Sequence, residues 1–183
     1  IVSNKKIIAV IGQPSGIPGV AETTSEIFKI LDELLDNNFD IFYKPHPADI
    51  ESLDEKALKI AHDSKIIIFD GRLNDLFVSA VLVVNIFSTV LIDFLRYRQA
   101  SSCNGNIISC IWNNELRDYL AGSDLMVAKL ADQFFEDKAS FQNFVSNPRN
   151  MIELSYNQDR SDDVQNNLDP FRSIAKKILE SKT

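Results

Sequence analysis

Residues 81–95 constrain this chain more than any other stretch. They read Val81-Leu82-Val83-Val84-Asn85-Ile86-Phe87-Ser88-Thr89-Val90-Leu91-Ile92-Asp93-Phe94-Leu95. Five of the six residues from Val81 to Ile86 are apolar and most are β-branched, which predicts a strand covered on both faces, as in a parallel sheet. A hydroxyl pair follows, and Ser88 or Thr89 is placed to cap a helix carrying Val90, Leu91, Phe94 and Leu95. The start of such a helix has unpaired N–H groups and positive dipole character, so the junction can seat a phosphate. The same pair can equally serve only as a cap.

The rest of the chain repeats this alternation. Lys5 to Ile11 predicts a first strand, and Gly12-Gln13-Pro14-Ser15-Gly16-Ile17-Pro18-Gly19, with three glycines and two prolines, predicts a loop. That loop has neither the dinucleotide-binding nor the P-loop glycine spacing. A helix is expected from about Thr24, with Ile27, Ile30, Leu31, Leu34 and Leu35 on one face, ending at Asn37-Asn38. Phe39 to Tyr43 predicts a second strand that delivers Lys44-Pro45-His46-Pro47. Two prolines restrict the backbone on either side of His46, so a stiff loop sets the direction of the imidazole. A histidine so held serves either as a chemical group or as an ordinary structural residue.

A helix carrying Leu53, Ala57, Leu58, Ile60 and Ala61 ends at His62, which reads as structural. Lys65 to Phe69 predicts a third strand, Asp70-Gly71-Arg72 a tight turn, and Leu73 to Ser79 a short helix leading into the central strand. Ser101 to Gly105 is a polar loop, and Ile107 to Trp112 a fifth strand. Asn113 or Asn114 is placed to cap a helix through Leu116, Tyr119 and Leu120 that Gly122 closes. Leu125-Met126-Val127 is a candidate for a last short strand. Helical segments are then expected through Leu130, Ala131 and Phe134, and through Phe141, Phe144 and Val145, the latter capped by Asp137 and stopped at Pro148. Tyr156 to Asn167 reads as a linker. A final helix follows, with Asp169 as cap, Pro170 at its first position and a stripe of Phe171, Ile174, Ala175, Ile178 and Leu179. Residues 160–183 are expected to pack back on a single domain spanning 1–183.

Alternating strands and helices imply a doubly wound, Rossmann-like α/β fold, with a parallel sheet of five or six strands and helices on both faces. Ligands bind such sheets outside the carboxyl ends of the strands, where the strand order reverses. With the order 3-2-1-4-5-6, the loops bearing Gly12-Gln13-Pro14, Lys44-Pro45-His46-Pro47, Asp70-Gly71-Arg72 and Ser88-Thr89 share one rim. A nucleotide or phosphate site is expected there.

The formal charge of −7 over 183 residues lacks the basic footprint that nucleic acid requires. No run approaches the ~20 apolar residues that span a bilayer. The two cysteines, Cys103 and Cys110, form no disulfide framework and match no common metal spacing, so reduced thiols in a cytoplasmic protein are expected, with no bound metal and no cofactor.

Lys44-Pro45-His46-Pro47, and Phe87-Ser88-Thr89 with Asp93, resemble the His-Pro and Ser-Ser/Ser-Thr motifs of bacterial surface-polysaccharide transferases. This group comprises sialyltransferases, polysialyltransferases and capsule-sugar transferases, with the CDP-glycerol transferases as relatives. Ile11-Gly12-Gln13-Pro14 is similar to the start of the nucleotide-binding half in that group. The chain departs from the group's pattern at Val81 and Ile86, where relatives often carry an acidic residue. The resemblance implies the carboxyl-terminal half of a GT-B glycosyltransferase that holds a nucleotide-sugar donor, commonly a CMP-sugar. His46 would contact the donor phosphate as the catalytic group, and Ser88 and Thr89 would bind that phosphate. Asp93 would meet the ribose, and Asp70, Gly71 and Arg72 would lie near the base. An amino-terminal half carrying the general base is then missing, the acceptor is a glycan or lipid-linked glycan, and peripheral attachment to the inner face of the membrane is a further implication. A UDP-sugar 2-epimerase relative, or an interaction module that kept the fold and lost the chemistry, are the competing readings.

Overall fold

The computed structural model describes residues 3–35, 38–49, 66–87, 89–100, 105–120 and 127–152. Six strands, β1 (Lys6–Ile11), β2 (Phe39–Lys44), β3 (Ile66–Ile68), β4 (Ala80–Asn85), β5 (Asn106–Cys110) and β6 (Gln133–Phe135), form one sheet. Its order is β3-β2-β1-β4-β5-β6, and every pairing is parallel. Among the described residues the helices are α1 (Val20–Leu34), α2 (Leu73–Ser79), α3 (Val90–Ala100), α4 (Asn114–Tyr119), α5 (Lys138–Val145) and α6 (Pro148–Ile152), with a 3₁₀ turn at Pro47–Asp49.

The two-residue period of the strands sorts the core onto two faces. Ile8 and Val10 of β1, Leu82 and Val84 of β4 and Ile108 of β5 pack with Phe28 of α1, Leu116 of α4, Phe141 of α5 and Met151 of α6. Ile7, Ala9 and Ile11, with Val83 and Ile107, pack on the other side with Leu76 and Phe77 of α2 and Leu91, Phe94 and Leu95 of α3. One irregularity keeps this sorting intact. Ile7 pairs with Ala80 but Ile8 with Leu82, so Val81 is the extra residue of a bulge and Ala80 and Val83 face the same side. Phe28, Phe77, Phe94 and Phe141 are almost fully buried, and truncating such a ring to alanine costs roughly 3–5 kcal/mol.

The doubly wound parallel fold follows the sequence reading, the strand order is the one on which the shared rim depends, the central strand starts one residue before Val81, and three further features differ. Helix α1 begins at Val20 rather than near Thr24, because Gly19 takes a left-handed conformation (φ 76°) that turns the chain into the helix four residues early. Val127 is helical rather than in a strand, and the Leu130 N–H donates to its carbonyl. The sixth strand is Gln133–Phe135 instead, in a region expected to be helical. Register explains this: the Asp132 N–H donates to the Ile107 carbonyl at 2.8 Å, and the Ile107 N–H to the Asp132 carboxylate at 2.8 Å. This pins the segment beside β5, where its aromatics fit a pleated surface. Helix α5 ends at Val145 with Ser146 as its cap, and Pro148, expected as its stop, instead opens α6, as the first position of a helix permits. The expected helix through Leu53 and His62, together with Cys103, Gly122 and everything after Ile152, lies outside the described residues.

Candidate functional site

Each predicted site loop leaves the carboxyl end of a strand. At the exit of β1 the Gly12 N–H donates to the Lys44 carbonyl at 2.8 Å, extending the β1–β2 ladder beyond the strand. A Cβ on Gly12 would lie 2.7 Å from the Tyr43 hydroxyl and 2.8 Å from the His46 nitrogen. The contact between these loops therefore requires glycine. Gln13 is buried, and its Nε2 donates to the Gly12 carbonyl at 3.0 Å. Pro14 opens a turn through its carbonyl, which accepts from the Ile17 N–H at 3.1 Å.

The exit of β2 is tied to this loop by a residue that the sequence motifs do not include. Asp49 ends the 3₁₀ turn that Pro47 begins. Both of its carboxylate oxygens accept from the Ser15 N–H at 3.1 Å, and Oδ1 also accepts from the Ser15 hydroxyl at 3.0 Å. Between these fixed points His46 is half-buried, and its Nδ1 accepts from the Ala48 N–H at 3.1 Å. That bond places the proton of the neutral imidazole on Nε2. Tyr43, buried beneath the loop, has its hydroxyl pushed up to about 12, chiefly by burial and further by the negative charge of Asp49.

Lys44 reaches toward β3. Its Nζ donates to the Gly71 carbonyl at 2.8 Å and sits 5.7 Å from the centroid of the Phe69 ring. A side chain on Gly71 would overlap that same ring. Asp70 and Arg72 face solvent. The Arg72 side chain is 89% exposed and lies 3.6 Å from Asp75, a surface pair that holds little.

Across the switch point, Ile86 is buried, Phe87 half-buried and Thr89 exposed. The Thr89 carbonyl accepts from the Asp93 N–H at 3.1 Å, so Thr89 opens α3. The exposed Asp93 lies in its first turn, where a carboxylate suits the positive end of the helix. Ser88 lies outside the described residues. The structure thus joins Gly12, Lys44, His46 and Gly71 through direct contacts, and sets Thr89 and Asp93 at the exit of β4, about 10 Å from β2 by two strand spacings. Asp70 and Arg72 border this rim and, among the described residues, do not bond into it.

Two further groups were not legible as site residues. Beyond β5, Trp112 Nε1 donates to Glu26 at 2.6 Å and Lys138 Nζ donates to the same carboxylate at 3.0 Å. Burial alone would raise Glu26, but these two bonds and the Lys138 charge outweigh it and hold the carboxyl below its ordinary 4.5. Asn85 and Ser109 are fully buried at the ends of β4 and β5. The Asn85 amide and the Ser109 hydroxyl have no hydrogen-bond partner among the described residues, and each such group costs roughly 1–3 kcal/mol. A signal for both was present, since each is a polar residue interrupting an apolar run near a strand's carboxyl end. Among the described residues no three His, Cys, Asp or Glu side chains gather as a metal ion would need, and no helix is long and apolar enough to cross a membrane.

A six-stranded parallel sheet with the order β3-β2-β1-β4-β5-β6 and helices on both faces defines the class as a Rossmann-like α/β fold. Solved structures share it. An α,α-trehalose 6-phosphate synthase from Burkholderia multivorans matches 98% of this chain at 12% identity and a TM-score of 0.54. S. aureus MnaA in complex with UDP matches 82% at 12% identity and a TM-score of 0.50. The chain spans only 44% and 40% of those two proteins. No family profile and no curated protein matches the sequence.

Proposed function

We propose that this chain is the donor-binding half of a glycosyltransferase that uses a nucleotide-sugar, with a CMP-sugar as the donor and a surface polysaccharide or lipooligosaccharide as the product. The observation that carries the reading is the stapled junction of the β1 and β2 loops, where Gly12 lies against the backbone of Lys44 and His46, one strand from the switch between β1 and β4. Transfer of a sugar leaves negative charge on the departing nucleotide, and preorganised donors stabilise that charge without a metal. Nε2 of His46 is the catalytic donor to the leaving phosphate. Lys44, the Gln13 backbone N–H and the hydroxyls of Ser88 and Thr89 surround that phosphate, with Gly12, Pro14 and Pro47 setting the path of the loops. Asp93 takes the ribose, with Asp70, Gly71 and Arg72 toward the base. The general base and the acceptor site for a glycan or lipid-linked glycan belong to a preceding half of the protein. The resemblance at Lys44-Pro45-His46-Pro47 and Phe87-Ser88-Thr89 supports this reading, as does a fold shared with a sugar-phosphate synthase and a UDP-binding protein.

Calorimetric titration with CMP, CDP, UDP and GDP tests it. A cytidine nucleotide is expected to bind saturably, and His46→Ala to weaken it at least tenfold with an unchanged Tm. Selective binding of UDP would move the reading to a UDP-sugar enzyme. If His46→Ala lowers Tm and affinity together, the histidine is structural. A folded protein that binds none of the four either needs the preceding half to form its site or is an interaction module, and a chain extended at its amino terminus separates the two.

A further inference from the structure

Asn85 and Ser109 stand directly opposite one another, in register across β4 and β5. Strand alternation puts both on the side of Val83 and Ile107, which is the side on which Leu91, Phe94 and Leu95 of α3 pack. They are the last residue of β4 and the next to last of β5, and β4 borders the switch between β1 and β4. Other buried polar groups of the protein are bonded: the Thr23 hydroxyl donates to the Gly19 carbonyl at 2.7 Å, Gln13 Nε2 to Gly12, and Asn106 Nδ2 to the Met151 carbonyl at 3.4 Å. The amide of Asn85 and the hydroxyl of Ser109 are not bonded to any described residue. A buried polar group left in this way calls for a partner.

The chemistry of the pair restricts that partner. A carboxamide offers two donors and an acceptor, a serine hydroxyl offers one donor and accepts as well, and neither carries charge. They complement a neutral group that both gives and takes hydrogen bonds, which is the character of a sugar hydroxyl rather than a phosphate. The position agrees. Lys44 and His46, at the exit of β2, lie about 10 Å from β4 and about 14 Å from β5 by strand spacing, so one ligand can place phosphate at the first and a hydroxylated ring at the second.

We infer that Asn85 and Ser109 form the hydroxyl-recognising end of the ligand site, taking the vicinal hydroxyls of the ribose or of the transferred sugar. The inference rests on the nucleotide-sugar reading above. Contact requires the first turn of α3 at Val90 and Leu91, which packs on the same side as the pair, to give way, a local rearrangement of the kind that a minority of complexes show. The amide orients and selects the hydroxylated ring and takes no part in bond breaking.

The test uses the full chain with Asn85→Leu, which keeps the shape and removes the amide, and with Ser109→Ala, a smaller change that covers the case in which the leucine variant fails to fold. Each is titrated with CMP, UDP, their 2′-deoxy analogues, CMP-sialic acid and UDP-glucose. Affinity is expected to fall at least tenfold in Asn85→Leu, with a Tm at or above that of the wild type. If the ribose is the ligand group, the loss appears with CMP or UDP and vanishes with the deoxy analogue. If the transferred sugar is the group, the loss appears only with the nucleotide-sugars. Variants that bind every probe as the wild type does overturn the assignment and leave an internally hydrated pair. A wild type that binds no probe overturns the nucleotide-sugar reading, and this assignment with it.

Discussion

Gly12 lies against Tyr43 so closely that a single added carbon would stand 2.7 Å from the phenolic oxygen. The same carbon would stand 2.8 Å from the His46 backbone nitrogen, and a backbone atom cannot rotate away as a side chain can. Gly12→Ala therefore has to part the β1 and β2 loops. The expected cost is about 1–3 kcal/mol, the usual range for overpacking, read as a lower denaturant midpoint with unchanged slope. Adding Tyr43→Phe removes the phenolic oxygen but not the His46 contact, so the double variant is expected to recover only part of the loss. Full recovery would show that the hydroxyl alone imposes the glycine.

Tyr43 also makes the protein sensitive to alkali. Its ordinary value is 10, and burial, aided by Asp49, raises it to about 12 in the folded chain. A folded value above the unfolded one means that the native state holds the proton more tightly. The corresponding stability is complete below pH 10 and is lost as pH climbs toward 12. Two units correspond to about 2.7 kcal/mol. Urea titrations at pH 9, 10, 11 and 12 are expected to show this fall in the wild type, and a decline shallower by that amount in Tyr43→Phe. Parallel curves for the two proteins would mean that Tyr43 ionises as freely when folded as when unfolded.

The fold was legible because the strands advertise themselves. Val81 to Ile86 and Ile107 to Ile111 are apolar runs bounded by polar loops, and burial on both faces admits little else. Caps were equally readable, as Asn113 and Asp137 do accept from the N–H groups of Leu116 and Ser140. Gln133–Phe135 was not, since three residues carry no period and its pairing with β5 is fixed by Asp132, which no local pattern reveals. At the site, prolines and glycines marked the loops, but the carboxylate that ties them together could not be found the same way. Asp49 meets Ser15 across 34 residues of sequence, and only the parallel alignment of β1 and β2 brings them into contact.

The same kind of long-range contact governs the acid limb of stability. Glu26 accepts from Trp112 and from Lys138, 86 and 112 residues away, and these partners keep its carboxyl below the ordinary 4.5 against the opposing effect of burial. Because the folded value is depressed, the stabilisation is present above pH 4.5 and is lost as pH falls through the folded value. Trp112 is the single tryptophan of the chain, so its emission reads this carboxylate directly. In the wild type the emission is expected to change below pH 4.5, together with a fall in the denaturant midpoint. Glu26→Gln has no charge to lose, so its midpoint is expected to start lower at pH 7 and to fall less steeply on acidification. An acid limb identical in the two proteins would transfer that dependence to other carboxylates, with Asp137 the first to examine, since the N–H and hydroxyl of Ser140 hold it below its ordinary value as well.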